Sequence, residues 1–277
     1  MECSQSPAAV YSSTALMHRV QNKKLYCLEG PIGVGKTTLI RNLKASAPEG
    51  VAVLFEPVEE WTGVIVDKKT NKNLLQAMYD GTISAGVFQL GILQSRFALL
   101  VKTLCDPKIH TVISERGPWS EKYVFAKSNL SECDFATYIY TQRAMMDTLF
   151  DIVGPIQVAF LYLTLDTASV LQRIRERGRP EETGITEEYL NKLDAAHNAM
   201  EVEIRRDGTD LKHIVGSAKH VHIDASVSEE QLHQDSYRIV YGEHCGYSRL
   251  FGVFVDEPDE LIKKDNNPIL GLITARR

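Results

Sequence analysis

The chain has 277 residues, a formal net charge of -5 and 44% hydrophobic residues, enough to bury a sizeable core in one α/β domain. The acidic balance speaks against a protein that coats nucleic acid or an anionic membrane, because such binding draws on a basic excess. Five cysteines, Cys3, Cys27, Cys105, Cys133 and Cys245, show neither C-x-x-C spacing nor partner histidines, which argues for reduced thiols over a zinc site or a disulfide framework.

No apolar run reaches the ~18 residues of a membrane span. Residues 1–22 lack a signal-peptide core and the acid-free, Arg-rich composition of a transit peptide, so they read as a disordered arm on a cytoplasmic protein. Lys24 to Glu29 is a short, mostly apolar strand that ends at glycines. Gly30-Pro31-Ile32-Gly33-Val34-Gly35-Lys36-Thr37 then fits the phosphate-loop pattern G-x-x-x-x-G-K-[ST], and Thr38 opens a helix-permissive run to Ala45. In such a loop backbone N–H groups wrap a polyphosphate, the lysine reaches its terminal phosphates, and the hydroxyl meets Mg²⁺. A strand before the loop and a helix after it imply binding of a nucleoside triphosphate.

Gly50 to Phe55 reads as a second buried strand that Pro57 stops, with Glu56 at its carboxyl end. In open parallel sheets that edge borders the ligand crevice, so Glu56 is placed to face the phosphate loop, the plain alternative being a surface turn. Asn73 to Tyr79 and Ile83 to Leu104 are helical by period, with an apolar stripe of Phe88, Ile92, Leu93, Phe97 and Leu100. Packing does not explain Gln89 and Arg96, which share one face of the same helix. His110 to Ser114 forms a third strand and delivers Glu115-Arg116 to the same edge, either as the carboxylate that completes a Mg²⁺ shell or as a structural ion pair.

Ser120 to Ala126 and Asp134 to Asp147 continue as helices, and Pro155 to Leu165 is a fourth, deeply buried strand with Asp166 as the next helix cap. Arg173-Ile-Arg-Glu-Arg-Gly-Arg179 then places four arginines in seven residues. A solvated face normally interleaves acids with its bases, whereas concentrated guanidinium suits a lid over transferring phosphoryl. Thr186 to Ile204 is a long helix, Val221 to Ile223 a last strand, and Ser228 to Ile239 a closing helix. The alternation predicts a P-loop α/β domain over 23–241, with about five parallel strands covered on both faces, and an extension of unknown role over 242–277.

Two short matches invite a GTPase reading, Asp151-Ile-Val-Gly154 as D-x-x-G and Asn191-Lys-Leu-Asp194 as N-K-x-D. Asp151 precedes a strand and Asn191 lies mid-helix, whereas base recognition of that kind needs a rigid strand-end loop. A kinase for a small hydroxyl acceptor collects more features. Gly30 to Thr37, Glu56-Pro57-Val58 with Trp61, Met78-Tyr79, Phe88-Gln89, Arg96, Glu115-Arg116, Tyr123 with Phe125, and Arg177-Gly-Arg-Pro-Glu-Glu182 together resemble the ordered motifs of the deoxyribonucleoside kinases, most closely the deoxycytidine and deoxyguanosine kinase group. The resemblance runs from about Leu25 to Asp224.

It implies transfer of the γ-phosphoryl of ATP to a deoxynucleoside 5′-hydroxyl, a salvage step towards dNTPs. By resemblance Glu56 is the general base, Arg116 its neighbour beside the 5′-oxygen, and Lys36, Arg173, Arg177 and Arg179 hold the transferring phosphoryl. Thr37 and Glu115 are the Mg²⁺ residues. Tyr79 and Glu182 match the pair on the sugar 3′-hydroxyl, and the base lies between Trp61, Phe88 and Phe125. Gln89, Arg96 and Glu121 match the base-edge set, which favours deoxycytidine, deoxyadenosine or deoxyguanosine, with thymidine inside a broader range. Two departures stand out: the family's aspartate is Glu121, and the serine that usually follows Glu-Arg is Gly117-Pro118. The resemblance also implies a homodimer through the helices around 88–104 and 137–149. A thymidylate-type monophosphate kinase shares the loop and lid and is the alternative.

Overall fold

The protein is seen in a computed structural model that describes residues 23–179, 182–206, 214–215 and 218–242. The expected arm over 1–22, and all but Gly242 of the expected extension, lie outside the described residues. In chain order come β1 (Lys24–Glu29), α1 (Lys36–Ala45), β2 (Val51–Leu54), α2 (Val58–Gly63), β3 (Ile65–Asp67), β4 (Lys72–Asn73), α3 (Leu74–Tyr79) and α4 (Ala85–Leu104). They are followed by β5 (Thr111–Glu115), the helical segment α5 over 118–129, α6 (Glu132–Val153), β6 (Gln157–Thr164), α7 (Thr167–Arg177), α8 (Glu187–Arg206), β7 (Lys219–Asp224) and α9 (Glu229–Tyr241).

Five strands form one parallel sheet in the order β2-β5-β1-β6-β7, as the strand-helix alternation predicts. Alternation along the central strands divides the core in two. Leu25 and Cys27 of β1 with Val158, Phe160 and Tyr162 of β6 face α4, α5, α6 and α8. Tyr26 and Leu28 with Ala159, Leu161 and Leu163 face α1 and α9. Successive side chains point to opposite faces, so a strand buried on both sides must be apolar throughout, and β1 and β6 nearly are.

Several boundaries differ from the sequence expectations, among them α6, which runs from Glu132 to Val153, and β7, which runs from Lys219 to Asp224. Helix α4 starts at Ala85 because Ser84 caps it, its side chain accepting from the Val87 N–H. Between β2 and α3 the chain also builds α2 and an antiparallel β3–β4 pair, where the sequence shows no periodicity to announce them. Among the described residues, α4 alone is long and apolar enough to cross a bilayer, yet it packs against α6 and buries Gln89 and Ser95. That is how a core helix behaves.

Candidate active site

Three carboxylates gather at the carboxyl edge of three adjacent strands. Glu29 closes β1, Glu115 closes β5, and Glu56 stands just beyond β2. The phosphate loop leaves β1 at the same edge and enters α1 at Lys36. Its Gly33 has φ +84° and a Cβ there would lie 2.6 Å from Ile174 Cγ1, so the loop can pass under α7 only as glycine. Lys36 is buried, and its Nζ donates to Gly30 O at 3.0 Å and Pro31 O at 2.7 Å. Burial, aided by the nearby Arg116 guanidinium, pushes the ammonium down to about 7.

The residues expected at the metal and at the acceptor meet in one chain of contacts. Thr37 Oγ1 donates to Glu115 Oε1 at 2.7 Å, and Glu115 Oε2 accepts from the Glu56 N–H at 3.4 Å. Arg96 Nη1 reaches Glu56 Oε1 at 3.1 Å, its Nη2 donates to Glu115 O at 2.6 Å, and its Nε lies 2.9 Å from Glu121 Oε1. One guanidinium therefore ties both carboxylates to the end of β5. Arg96, Arg116 and Glu121 also line a cavity with Phe55, Pro57 and Phe97.

Glu121 begins a π-helical stretch, Glu121–Ala126, inside α5. Such wide turns re-aim side chains and recur at functional sites. Burial pushes the Glu121 carboxyl up against the pull of Arg96, and its Oε2, like the buried Gln89 Oε1, has no hydrogen-bond partner. Trp61 is buried with Nε1 donating to Ser95 Oγ at 2.9 Å, Phe88 is half-buried on α4, and Phe125 carries the Arg116 guanidinium 4.7 Å above its ring.

The remaining sequence candidates fall in three places. Arg173 sits in α7 and donates to Val34 O and Ala225 O, both at 3.0 Å, so it binds the loop and the turn after β7 together. Arg177 and Arg179 instead both reach Glu182 beyond the helix end, Arg177 Nε at 3.1 Å and Arg179 Nη1 at 3.4 Å. Tyr79 stands at the end of α3 and is 54% exposed.

A family model described as deoxynucleoside kinase matches residues 26–239. The chain belongs to the deoxynucleoside kinase family. It is 30% identical over 211 residues to deoxycytidine kinase 2 of Gallus gallus, covering 68% of this chain and 78% of that one. It is 28% identical over 198 residues to the mitochondrial deoxyguanosine kinase of Xenopus laevis, covering 65% and 73% of the two. Identity to the thymidine kinase of Ictalurid herpesvirus 1 is 32% over 212 residues, covering 75% and 82%. As members of this family are ATP-dependent phosphotransferases, the kinase takes ATP as its donor.

Two buried residues of the kinase site escaped the sequence reading. Glu29, fully buried, accepts the Gly117 N–H at 2.8 Å and stands 3.9 Å from Arg116 Nη1, and burial pushes its carboxyl up to about 7. His197 contacts the same Arg116 nitrogen at 3.3 Å. The signal for Glu29 is an acid at the inner end of a buried strand. For His197 it is a polar residue on the α8 stripe otherwise made of Leu190, Leu193, Met200 and Ile204.

The Gly117 departure has a packing cause. A Cβ at 117 would stand 2.6 Å from Cys27 Sγ and 3.2 Å from Cys27 Cβ, so the buried thiol occupies the room a serine would need. Cys105 and Cys133 are exposed free thiols, while Cys3 and Cys245 lie outside the described residues.

Proposed function

We propose that the kinase transfers the γ-phosphoryl of ATP to the 5′-hydroxyl of a deoxynucleoside, with Glu56 as general base. The observation that carries this is the continuous set of contacts from Thr37 through Glu115 and Glu56 to Arg96 and Glu121, which links the phosphate end of the site to a base-reading end. Glu56 accepts the proton as the 5′-oxygen attacks, and Arg116 steadies that oxygen. Lys36 with Arg177 and Arg179 neutralises charge on the moving phosphoryl, and Arg173 holds the loop in shape for it. Tyr79 and Glu182 bind the sugar 3′-hydroxyl, and Trp61, Phe88 and Phe125 enclose the base.

Thr37 and Glu115 offer the hard oxygen donors that Mg²⁺ prefers, one hydroxyl and one carboxylate, with phosphate oxygens and water left to complete its shell. Among the described residues no group of three or more His, Cys, Asp or Glu side chains could hold a metal, so the donor set fits an ion that arrives with the nucleotide. Bound there, Mg²⁺ supplies charge neutralisation on the phosphates.

The buried acceptors Glu121 Oε2 and Gln89 Oε1 favour a base that presents an amino group, since leaving them unmet costs about 1–3 kcal/mol each. Deoxycytidine, deoxyadenosine and deoxyguanosine all present one. The exposed Val87 on α4 and Tyr140 on α6 support a homodimer through these helices, and a cytoplasmic location suits the salvage role.

Steady-state phosphorylation of deoxycytidine, deoxyadenosine, deoxyguanosine and thymidine, each with ATP and Mg²⁺ and beside its 5′-monophosphate, tests the proposal. Turnover of amino-bearing nucleosides is the expected result. Preference for a monophosphate acceptor would overturn the reaction, and preference for thymidine would overturn the base assignment alone.

A further inference from the structure

Arg116 is a buried charged side chain of the site held from several sides. Its backbone sits at φ +64°, unusual for a residue with a Cβ, with its N–H donating to Leu28 O at 2.9 Å. Its guanidinium is 3% exposed, lies over the Phe125 ring and approaches the buried Glu29 carboxylate. The fourth contact is to His197 Nε2, at 3.3 Å.

The imidazole has only one tautomer that satisfies both neighbours. His197 Nδ1 is 2.8 Å from Leu193 O, and a carbonyl oxygen only accepts, so Nδ1 carries the proton. Nε2 is then a bare acceptor aimed at Arg116 Nη1. A histidine kept only for packing would gain nothing from that alignment, since it stands among Leu190, Leu193, Met200 and Ile204, where an apolar side chain costs no desolvation. The helix that carries it also matters. Helix α8 starts at Glu187, directly after the lid turn that holds Arg179 and Glu182.

We propose that His197 is a positioning residue for phosphoryl transfer. Its Nε2 fixes Nη1 of Arg116, so that the rest of the guanidinium faces the cavity between Arg96 and Glu121, and it sets this aim from the helix that follows the lid. The inference rests on the deoxynucleoside kinase reading. It adds a residue that acts through Arg116 and touches neither nucleotide nor acceptor.

Side chains that mimic one ring nitrogen at a time test it. His197→Asn reproduces Nδ1 and keeps the bond to Leu193 O but stops short of Arg116, whereas His197→Gln places an oxygen where Nε2 stands. His197→Met removes both. The full chain and its variants are assayed for kcat and for both KM values with ATP, Mg²⁺ and the best deoxynucleoside, beside their thermal midpoints.

The expected result is kcat lowered about tenfold or more in His197→Asn and His197→Met, with the KM for ATP within about twofold, because misplacing a catalytic group by an ångström costs on this scale. His197→Gln keeps kcat within about threefold. If Asn and Gln variants have equal kcat, or if all losses follow thermal midpoint alone, the proposal is overturned and His197 is a packing residue. Should His197→Met fail to fold, the contrast between the two polar variants still decides. A wild-type chain that phosphorylates no deoxynucleoside would overturn the kinase reading itself, so the two failures are told apart by the wild-type rate.

Discussion

Arg96 Nη1 lies 3.1 Å from Glu56 Oε1, and the same guanidinium holds Glu121 through Nε at 2.9 Å. The proposed base of the reaction and the proposed reader of the nucleobase thus share one cation, so a change at either carboxylate is expected to be felt by the other. Glu56→Gln is isosteric and keeps a group for Arg96 to meet. It is expected to bind ATP with near wild-type affinity while turnover falls at least ~10²-fold, the scale for loss of a general base. Equilibrium nucleotide binding and kcat measured on one preparation check this, and an unchanged kcat would remove Glu56 from the role.

Lys36 supplies a proton-linked signature of nucleotide binding. Burial holds its ammonium near 7 beside Gly30 O and Pro31 O, and a bound polyphosphate restores its charge by direct pairing. Binding is therefore expected to take up close to one proton at pH 8 to 9 and little at pH 6. Titration calorimetry in buffers of different ionisation enthalpy reads this number directly. Equal uptake at both pH values would show that Lys36 is already charged before ATP arrives.

Gly117 and Cys27 form a matched pair. Gly117→Ala drives its new methyl into Cys27 Sγ, and overpacking of this kind costs about 1–3 kcal/mol, several degrees of thermal midpoint. Cys27→Ala removes the sulfur. The double variant is expected to be more stable than the sum of the two single losses predicts, and strict additivity in a double-mutant cycle would refute the coupling.

His220 makes stability depend on acid. It is stacked 5.1 Å from Phe160, and burial, with Arg205 nearby, pushes its imidazole down to about 4. A histidine whose folded value lies below its unfolded value of about 6.5 binds fewer protons when folded, so its contribution is intact above pH 6.5 and is lost between pH 6.5 and 4. In urea melts the stability of the wild-type chain relative to His220→Phe is expected to fall as pH falls through that window, by at most about 1.4 kcal/mol per pH unit. Parallel curves would show that His220 does not titrate there.

The sheet and the phosphate loop were legible because their signals are local. A strand buried on both faces leaves an apolar run, and β1, β5 and β6 each left one ahead of Gly30, Glu115-Arg116 and Asp166. The β3–β4 pair left none, since its Val64 to Val66 stretch is exposed and its turn depends on Asp67 accepting from Lys69 and Thr70. Glu56 and Glu115 could be placed at one edge of the sheet, but Arg96 bridging Glu56 and Glu121 depends on the height of α4 over β5, which no spacing encodes. The arginines from 173 to 179 looked alike in sequence. The separation of Arg173, a stem residue that holds Val34 O, from Arg177 and Arg179, which meet Glu182, follows from α7 ending at Arg177, where Gly178 turns the chain at φ +63°.

That stem limits which motion can admit and release a nucleotide. Gly33 passes under Ile174 with no room for another carbon, and Arg173 grips Val34 O from the same helix. Helix α7 cannot tilt without dragging the loop that cradles the phosphates. A tilt of α7 and a shift of Val34 are thus one motion, and any strain placed on Ile174 or Arg173 reaches the phosphate loop directly.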